Sequence, residues 1–471
     1  MKILFVSAEV APLTKVGGLA DVVRSLPAEL IKRGHDVRII VPKYGLVDYS
    51  HFKITPVINN LTVFSLGEYR NISVERITLE GVPVYLIAAD IFTRSFAVYG
   101  SDEVEKFFLF CDSVCEALPY LDWRPEIMHC HDWHTALLPL LLRNKYPECR
   151  SVFTIHNVKY QGNFDELTMY RSGLNRFWQA SLPGGLSIPW NFMAQGILWS
   201  HVINAVSVNF AREILTADQG YGMQDLLLFR QDNLTGIING LDEEGNDPAV
   251  DSLIAANYTS KDITGKRLNK SALQHAAGLE SDKGIPLIGM VSRLDEQKGL
   301  DIILQSIPGL VADTNVQFIF IGSGKDYYER ALLEMEVRFP RNVKAFITFD
   351  EKIAHLIYAG SDMFLMPSMW EPCGLGQMIA MKYGTVPVVR KTGGLADTVT
   401  NLSSGLKKGS GFVFADYTAE ALAGALRYAA AAFQKNADWE QVIRRIMQQD
   451  FSWKEPATKY ELLYKKAVEL K

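Results

Sequence analysis

Short runs of consecutive apolar residues recur along the chain, and each is followed by a stretch with the spacing of an amphipathic helix. In the first half these runs cover residues 3–6, 37–41, 82–88, 127–130, 152–155 and 202–206. In the second half they cover residues 287–291, 318–321, 343–347, 363–366 and 386–389. Consecutive rather than alternating apolar positions are typical of parallel strands that are covered by helices on both faces. The pattern predicts an α/β fold with two doubly wound domains.

The boundary between the two domains is predicted where this periodicity fails. Residues 239–257 combine Gly, Asp, Glu, Asn and Pro without a regular apolar spacing. We therefore expect an N-terminal domain over residues 1–244 and a C-terminal domain over residues 245–450. Residues 451–471 are amphipathic, with Tyr460 and Tyr464 four positions apart. This spacing predicts a C-terminal helix that returns to the N-terminal domain.

Composition narrows the class of protein. The chain has 471 residues, 48% of them hydrophobic and 21% charged, which fits a globular protein too long for one core. A net charge of −5 provides no basic field for nucleic acid or for an anionic membrane. The five cysteines form no CxxC pair, and no apolar run reaches the about 18 residues of a membrane span. We expect a cytoplasmic protein with neither nucleic acid nor a membrane as partner, while the oligomeric state stays open.

Polar clusters follow several of the predicted strands. Ligands of open α/β sheets bind beyond the carboxyl ends of the strands, so these clusters are candidate site residues. The segment GGLAD occurs at residues 17–21 and again at 393–397, each time after a strand-like run and a short loop. Paired glycines at such a turn let backbone N–H groups approach an anion at the start of a helix. A chance repeat of common residues at two helix starts is the alternative.

Three charged residues of the second half are candidates for chemistry on a diphosphate sugar. Arg293 and Lys298 lie five positions apart in SRLDEQKG and could stabilise a departing diphosphate. Taken alone they would be a surface pair beside acidic residues, but their position after a buried strand favours the role in binding the diphosphate. Glu371 lies in the irregular segment MPSMWEPCGLGQ, where a carboxylate could orient a sugar hydroxyl or stabilise a positive transition state. Cys373 in the same segment is expected to be a packed thiol rather than a nucleophile.

The chain lacks the signatures of several other site classes. HCHDWH, residues 129–134, is rich in possible zinc ligands but has no spaced partner motif, so its imidazoles are expected to bind substrate or to pack in the core. The sequence contains no phosphate loop of the GxxxxGK[ST] type, no complete dinucleotide fingerprint and no Asp-x-Asp pair. We expect nucleotide-diphosphate chemistry without a metal ion and without a cofactor.

Seven segments resemble, in order, those of the bacterial glycogen synthases and plant starch synthases. They are KVGGLADVV, HDWHT, FTIHNVKYQG, IINGLD, SRLDEQKG, MPSMWEPCGLGQ and KTGGLADTV, and together they span nearly the whole chain. The resemblance implies a GT-B architecture in which two Rossmann-like domains face a deep interdomain cleft. It also implies a retaining transferase that moves glucose from ADP-glucose to the non-reducing end of an α-1,4-glucan such as glycogen.

The resemblance assigns a role to each matching residue. Lys15, Gly17 and Gly18 resemble a loop that closes over the donor, and His131 resembles an imidazole that contacts the transferred glucose. The residues in catalytic positions are Glu371, His131, Arg293 and Lys298. The residues in substrate- or nucleotide-binding positions are Lys15, Gly17, Gly18, Asp21, Asn239, Cys373, Gly374, Leu375, Thr392, Gly393 and Gly394. Of these, Thr392 with its two glycines resembles the helix start at the distal phosphate, and Asn239 a hinge-side amide.

The sequence departs from the family pattern at a few positions. Ala194 stands where a lysine is usual, Gly245 lies where a tryptophan-containing stretch is missing, and Gly376 replaces Thr or Ser. Ile379 occupies the place of a second glutamate found elsewhere in the fold. Three other interpretations therefore stay open: a binder of glucan or nucleotide without activity, a transferase that uses UDP-glucose or makes a small disaccharide, and a phosphorylase with pyridoxal phosphate.

Overall fold

A computed structural model describes residues 1–100, 102–176, 185–243 and 245–470. These residues form two compact units, each considered by itself below. The first unit comprises Met1–Gly240 and Trp453–Lys471, and the second comprises Leu241–Ser452. The sequence-based boundary at Glu244 lies outside the described residues.

The first unit alternates strands with helices. In chain order its elements are β1 (Lys2–Val6), α1 (Gly18–Lys32), β2 (Asp36–Pro42), β3 (Thr55–Ser65), β4 (Glu68–Leu79), β5 (Val82–Ala88), α2 (Asp90–Thr93), α3 (Glu103–Ala117), β6 (Ile127–His131), α4 (Leu138–Lys145), β7 (Arg150–Ile155), α5 (Glu166–Ser172), α6 (Phe192–Trp199), β8 (Val202–Ala205), α7 (Val208–Glu213), α8 (Gln224–Phe229) and β9 (Leu234–Gly236). Short 3-10 turns cover Leu118–Tyr120, Trp133–Thr135, Leu174–Arg176 and Gln231–Asn233.

The sheet of this unit has the strand order β3-β4-β5-β2-β1-β6-β7-β8-β9. The strands from β5 to β9 pair in parallel, whereas β3 and β4 form an antiparallel hairpin at one end. The central strand β1 is buried from Ile3 to Val6, as its unbroken apolar run predicted. The parallel order brings the carboxyl ends of β1, β6 and β7 to the same edge.

The second unit is built on the same plan. Its elements are α9 (Thr264–Ala276), β10 (Leu287–Val291), α10 (Leu300–Asp313), β11 (Gln317–Gly322), α11 (Asp326–Arg338), β12 (Val343–Ile347), α12 (Glu351–Gly360), β13 (Met363–Met366), α13 (Gly376–Lys382), β14 (Val386–Arg390), α14 (Gly393–Thr398), β15 (Phe412–Phe414), α15 (Ala419–Phe433) and α16 (Asn436–Met447). A 3-10 turn covers Glu296–Lys298. The sheet order β12-β11-β10-β13-β14-β15 is parallel throughout its described pairs. The predicted α/β, doubly wound class is confirmed in both units.

The last helix, α17 (Lys454–Glu469), belongs to the first unit. Tyr460 and Tyr464 are both fully buried in a core cluster that includes Ile3 and Phe5 of β1. Their hydroxyl groups lie in the polar part of this core: Tyr464 is 2.9 Å from Nδ1 of His129, and Asn204 Nδ2 donates to Tyr460 at 2.9 Å. The helix is thus held both by apolar burial and by specific hydrogen bonds.

None of the helices within the described residues combines the length and the apolar character needed to cross a bilayer.

Candidate active-site residues

A buried ion pair joins two loops of the second unit. Lys298 follows β10 and Glu371 follows β13, and these two strands are neighbours in the sheet. Nζ of Lys298 lies 2.7 Å from Oε2 of Glu371, and the two side chains are only 16% and 8% exposed. Ser368 Oγ donates to the same carboxylate oxygen at 3.0 Å. The structure therefore brings together two of the residues that the sequence predicted for catalysis.

One backbone hydrogen bond and two side-chain hydrogen bonds to backbone carbonyls hold these two loops together. The amide of Met369 donates to the Gln297 carbonyl at 2.8 Å, and Nε2 of Gln297 donates to the Trp370 carbonyl at 3.1 Å. Nε of Arg390, at the end of β14, donates to the carbonyl of Ser368 at 2.9 Å. Because these hydrogen bonds fix both loops, they also fix the position of the ion pair.

The second GGLAD segment packs directly beneath the Glu371 loop. Gly393 has φ +42°, and a Cβ there would lie 1.9 Å from the carbonyl oxygen of Glu371. A Cβ at Gly394 would lie 2.1 Å from the Cys373 carbonyl oxygen. The amide of Gly394 donates to the Glu371 carbonyl at 3.0 Å. Thr392 precedes them as the buried N-cap of α14. These glycines are required by the close approach of the loop, and the Gly394 amide is already paired with it.

The rest of the predicted donor loop continues from Glu371. Cys373 is buried, Gly374 has φ +72°, and Leu375 is the N-cap residue of α13. Nε2 of Gln377 donates to the carbonyls of Cys373 and Gly374 at 3.2 and 2.8 Å. The loop between β13 and α13 is thereby tied to the first turn of the helix.

Arg293 is placed differently from Lys298. Its side chain is 54% exposed, and its guanidinium lies 3.7 Å from Oδ2 of Asp295. The structure pairs Lys298 with Glu371 but leaves Arg293 on the surface side of the same loop. The two cations predicted from SRLDEQKG therefore differ in burial and in partner.

The two glycines of the first GGLAD segment are exposed, in contrast to those of the second. Gly17 is the N-cap of α1, and a Cβ there would meet no atom within 4 Å. Lys15 pairs with Asp21 at 2.8 Å on the surface, and Gly18 is likewise exposed. The same five-residue segment thus begins a helix after an open loop in the first unit and beneath a tightly packed loop in the second.

Glu9, which the sequence analysis did not single out, fixes this open loop. It is 2% exposed, and its Oε2 accepts the amides of Val16 and Gly17 at 2.6 and 3.1 Å. Tyr99 donates its hydroxyl to the other carboxyl oxygen. Burial is the largest influence on this carboxyl and raises its pKa. A glutamate within an otherwise apolar strand exit was the signal available in the sequence.

The histidines within β6 and directly after β7 divide into two groups. Nδ1 of His131 lies 3.0 Å from Nε2 of His156, and its Nε2 has no hydrogen-bond partner among the described residues. Burial lowers the pKa of His131 well below its usual value and the pKa of His156 to about 3. Both rings are therefore neutral, and the free nitrogen of His131 can bond to a ligand. His129 instead packs in the core between Thr154 and Tyr464.

Asp132 was also not predicted. It is one of the non-glycine residues with positive φ, at +59°, directly after β6. Burial raises the pKa of Asp132 to about 8, while hydrogen bonds from the amides of Asn157, Trp133 and His156 act in the opposite direction. Strained backbone and a buried carboxyl at a strand exit are typical of functional sites.

The last predicted site residue is Asn239, and the positions that depart from the family pattern are Ala194, Gly245 and Gly376. Asn239 is 5% exposed, and its Oδ1 has no partner within the described part of the chain. Ala194 is fully buried in α6. A Cβ at Gly376, the first residue of α13, would lie 3.0 Å from the Phe364 ring, and one at Gly245 would lie 3.4 Å from Asp242.

Comparison with known proteins identifies the family. Residues 2–228 match the family model of the starch synthase catalytic domain, and residues 274–445 match that of the group 1 glycosyl transferases. The chain is 43% identical to the glycogen synthase of Geotalea daltonii, over 99% of this chain and 98% of that protein. The chain belongs to the glycogen synthase family. Glycogen synthase 2 of Geobacter sulfurreducens is 40% identical over 100% of this chain and 99% of its own length.

Solved structures agree with this assignment. The catalytic domain of starch synthase IV from Arabidopsis thaliana, bound to ADP and acarbose, matches with a TM-score of 0.90 and 33% identity over 99% of both chains. Sucrose-phosphate synthase of Thermosynechococcus elongatus matches with a TM-score of 0.64 and 16% identity over 99% of this chain and 98% of its own, which shows a shared fold. The predicted GT-B fold and the predicted family of retaining glucosyltransferases are confirmed.

Proposed function

We propose that this member of the glycogen synthase family transfers glucose from ADP-glucose to the non-reducing end of an α-1,4-glucan, with retention at the anomeric carbon. The observation that carries the proposal is the buried Lys298–Glu371 pair at the carboxyl ends of β10 and β13. It is supported by the starch synthase structure bound to ADP and acarbose, which matches this chain over 99% of its length.

Lys298 is proposed to stabilise the departing diphosphate. When the bond between the anomeric carbon and the β-phosphate oxygen breaks, negative charge grows on that oxygen, and a cation held out of water is most effective there. Glu371 neutralises Lys298 at 2.7 Å, so that neither charge is buried alone. Arg293 is 54% exposed, lies 3.7 Å from the Asp295 carboxylate, and is proposed to add a second cation on the donor phosphates.

The first unit is proposed to contribute to the sugar side of the reaction. Its Glu9-braced loop carries the exposed Lys15, Gly17 and Gly18, and the unpaired Nε2 of His131 can bond to a glucose hydroxyl. In the proposed step the glucan 4-hydroxyl attacks the anomeric carbon from the face that the diphosphate leaves. The hydroxyl gives its proton to the departing phosphate oxygen, so that no nucleophile of the chain is needed.

The proposal is tested by a donor comparison. The protein is incubated with glycogen and with either ADP-glucose or UDP-glucose labelled in the glucose, and the label in the polymer is measured. We expect label from ADP-glucose to enter glycogen much faster than label from UDP-glucose. Label that enters only from UDP-glucose would contradict the donor assignment. Binding of ADP-glucose without any incorporation would show a binder that has lost the reaction, and Lys298→Ala is the control for background incorporation.

A further inference from the structure

The hairpin of β3 and β4 presents an exposed aromatic pair. A two-residue turn at Leu66 and Gly67, both with positive φ, brings Phe64 opposite Tyr69. Their rings lie 5.2 Å apart at an interplanar angle of 60°, although the two residues are 52% and 77% exposed. The next outward-facing pair is Thr62 opposite Asn71, joined by a hydrogen bond of 3.0 Å. We call these four residues the hairpin-tip face.

The core of the unit does not explain this face. Side chains alternate along a strand, and the opposite face of the hairpin is the buried one, with Val63 and Ile72 at 0% and 3% exposure. Farther along β4, Ile77 and Leu79 do join the core cluster. Phe64 and Tyr69 are not part of this core cluster. Exposed, contiguous apolar surface with a polar border is typical of a binding site.

The chemistry of the face selects the class of ligand. Thr62 and Asn71 offer a hydroxyl and an amide, and none of the four side chains is charged. The charged residues of the hairpin tip project from the opposite face, where Arg70 pairs with Glu68 and with Glu105, both at 2.8 Å. Aromatic rings stack on the C–H faces of sugars, and neutral polar groups bond to sugar hydroxyls. A neutral face complements a neutral, hydroxyl-rich polymer and not a phosphate or an acidic peptide.

We propose that the hairpin-tip face binds a segment of an α-1,4-glucan chain. The face is formed by elements other than those that carry Glu9, His131 and the Lys298–Glu371 pair. The hairpin-tip face holds the polymer so that the chain ends of the polymer stay at a high local concentration near the proposed active-site residues. A short acceptor that cannot reach both the face and these residues does not gain this advantage. Only the choice of α-1,4-glucan as ligand rests on the proposed function.

The test is glycogen binding without any donor. The full chain and the variant Phe64→Thr/Tyr69→Thr are run on native gels containing increasing glycogen, because threonine removes the rings but keeps a high strand propensity. We expect the dissociation constant for glycogen to rise about tenfold in the variant. Tyr69→Trp, which keeps an aromatic face, should retain binding. The matched control is Tyr327→Ala in α11, an aromatic residue that is 71% exposed and contacts Tyr328.

Kinetics provide the second readout. In the hairpin variant the KM for glycogen should rise while kcat stays the same, and the KM for a short maltooligosaccharide should not change. Unchanged retardation of the folded variant, checked by its circular dichroism spectrum, would overturn the proposal. So would an equal loss in the Tyr327→Ala control. A protein that glycogen retards but that transfers from neither donor would contradict the proposed function and leave the hairpin site standing.

Discussion

At the scale of single residues, Lys298 and Glu371 carry the account. Two opposite charges that are largely removed from water have a desolvation cost that can exceed their mutual attraction. Such a pair is a poor device for stability alone. A cation that is largely desolvated and held by a fixed carboxylate is, however, suited to charge that develops during a reaction.

Removing either donor-side cation should therefore slow the reaction. For Lys298→Ala and, separately, Arg293→Ala, we expect a loss of about 2–4 kcal/mol of transition-state stabilisation, or about 30- to 1,000-fold in kcat/KM. Lys325→Ala is the matched control, because Lys325 pairs with Glu296 on the surface and is 55% exposed. Rates within about threefold of the unmodified chain for both Lys298→Ala and Arg293→Ala would remove these roles.

Asp132 should make stability depend on pH. Because burial raises the pKa of Asp132 to about 8, the folded chain holds a proton that the unfolded chain releases near pH 4. This group thus lowers the free energy of unfolding as the pH rises from about 4 to about 8, by up to about 1.4 kcal/mol per pH unit.

The comparison with Asp132→Asn isolates this contribution. Urea unfolding of both chains between pH 5 and pH 8 should show the variant gaining stability relative to the unmodified chain as the pH rises. A difference between the two that does not change with pH would show that Asp132 is ionised at pH 5.

Some site residues were predictable from sequence and others were not, for physical reasons. Lys298 and Glu371 each follow an apolar run, in the segments SRLDEQKG and MPSMWEPCGLGQ, which marks them as residues beyond strand ends. Glu9 and Asp132 became visible only with the fold, because burial and positive φ depend on tertiary packing rather than on local pattern. The buried roles of Gly393 and Gly394 were equally hidden, since their neighbours belong to a loop more than fifteen positions earlier.

At the scale of elements, unbroken apolar runs were a reliable signal and half-exposed strands were not. Each predicted run corresponds to a strand of the structure. The hairpin strands β3 and β4 were missed because buried and exposed residues alternate along them, so that neither strand contains an unbroken apolar run. β9 and β15 were missed because each is three residues long.

One glycine from each GGLAD segment should respond differently to replacement by alanine. Gly394→Ala places a methyl group 2.1 Å from a backbone carbonyl oxygen, so we expect a loss of about 3 kcal/mol in the free energy of unfolding. Gly17→Ala meets no atom within 4 Å and should cost less than about 1 kcal/mol, from the weaker N-cap. Chemical denaturation measures both. Equal losses would show that the Glu371 loop is not packed on Gly394.

Docking of α17 should depend on its buried tyrosine hydroxyls. Tyr464→Phe leaves Nδ1 of His129 buried without its partner at 2.9 Å, which should cost about 1–3 kcal/mol of stability. The control is Tyr428→Phe, at a residue that is 46% exposed, with an expected change below about 0.5 kcal/mol. Indistinguishable urea midpoints for the two variants would contradict the claim that the hydrogen bond between Tyr464 and His129 stabilises the packing of α17.

At the scale of the whole molecule, the similarity to the glycogen synthase family extends over the entire chain. The identity to glycogen synthases extends over 99% or more of the chain in both relatives described above, and each unit carries its own part of the predicted machinery. The departures at Ala194, Gly245 and Gly376 lie outside the Lys298–Glu371 pair and its supporting bonds. We therefore expect them to change acceptor use before they change the reaction.

The central claim is retaining transfer to the non-reducing end of an α-1,4-glucan, and one measurement tests it directly. Glycogen is extended by the protein with ADP-glucose labelled in the glucose, and the polymer is then digested with β-amylase, which removes maltose from non-reducing α-1,4 ends. The account predicts that the label is released early and as maltose. Label that resists the digestion, or that never leaves the small-molecule fraction, would contradict it.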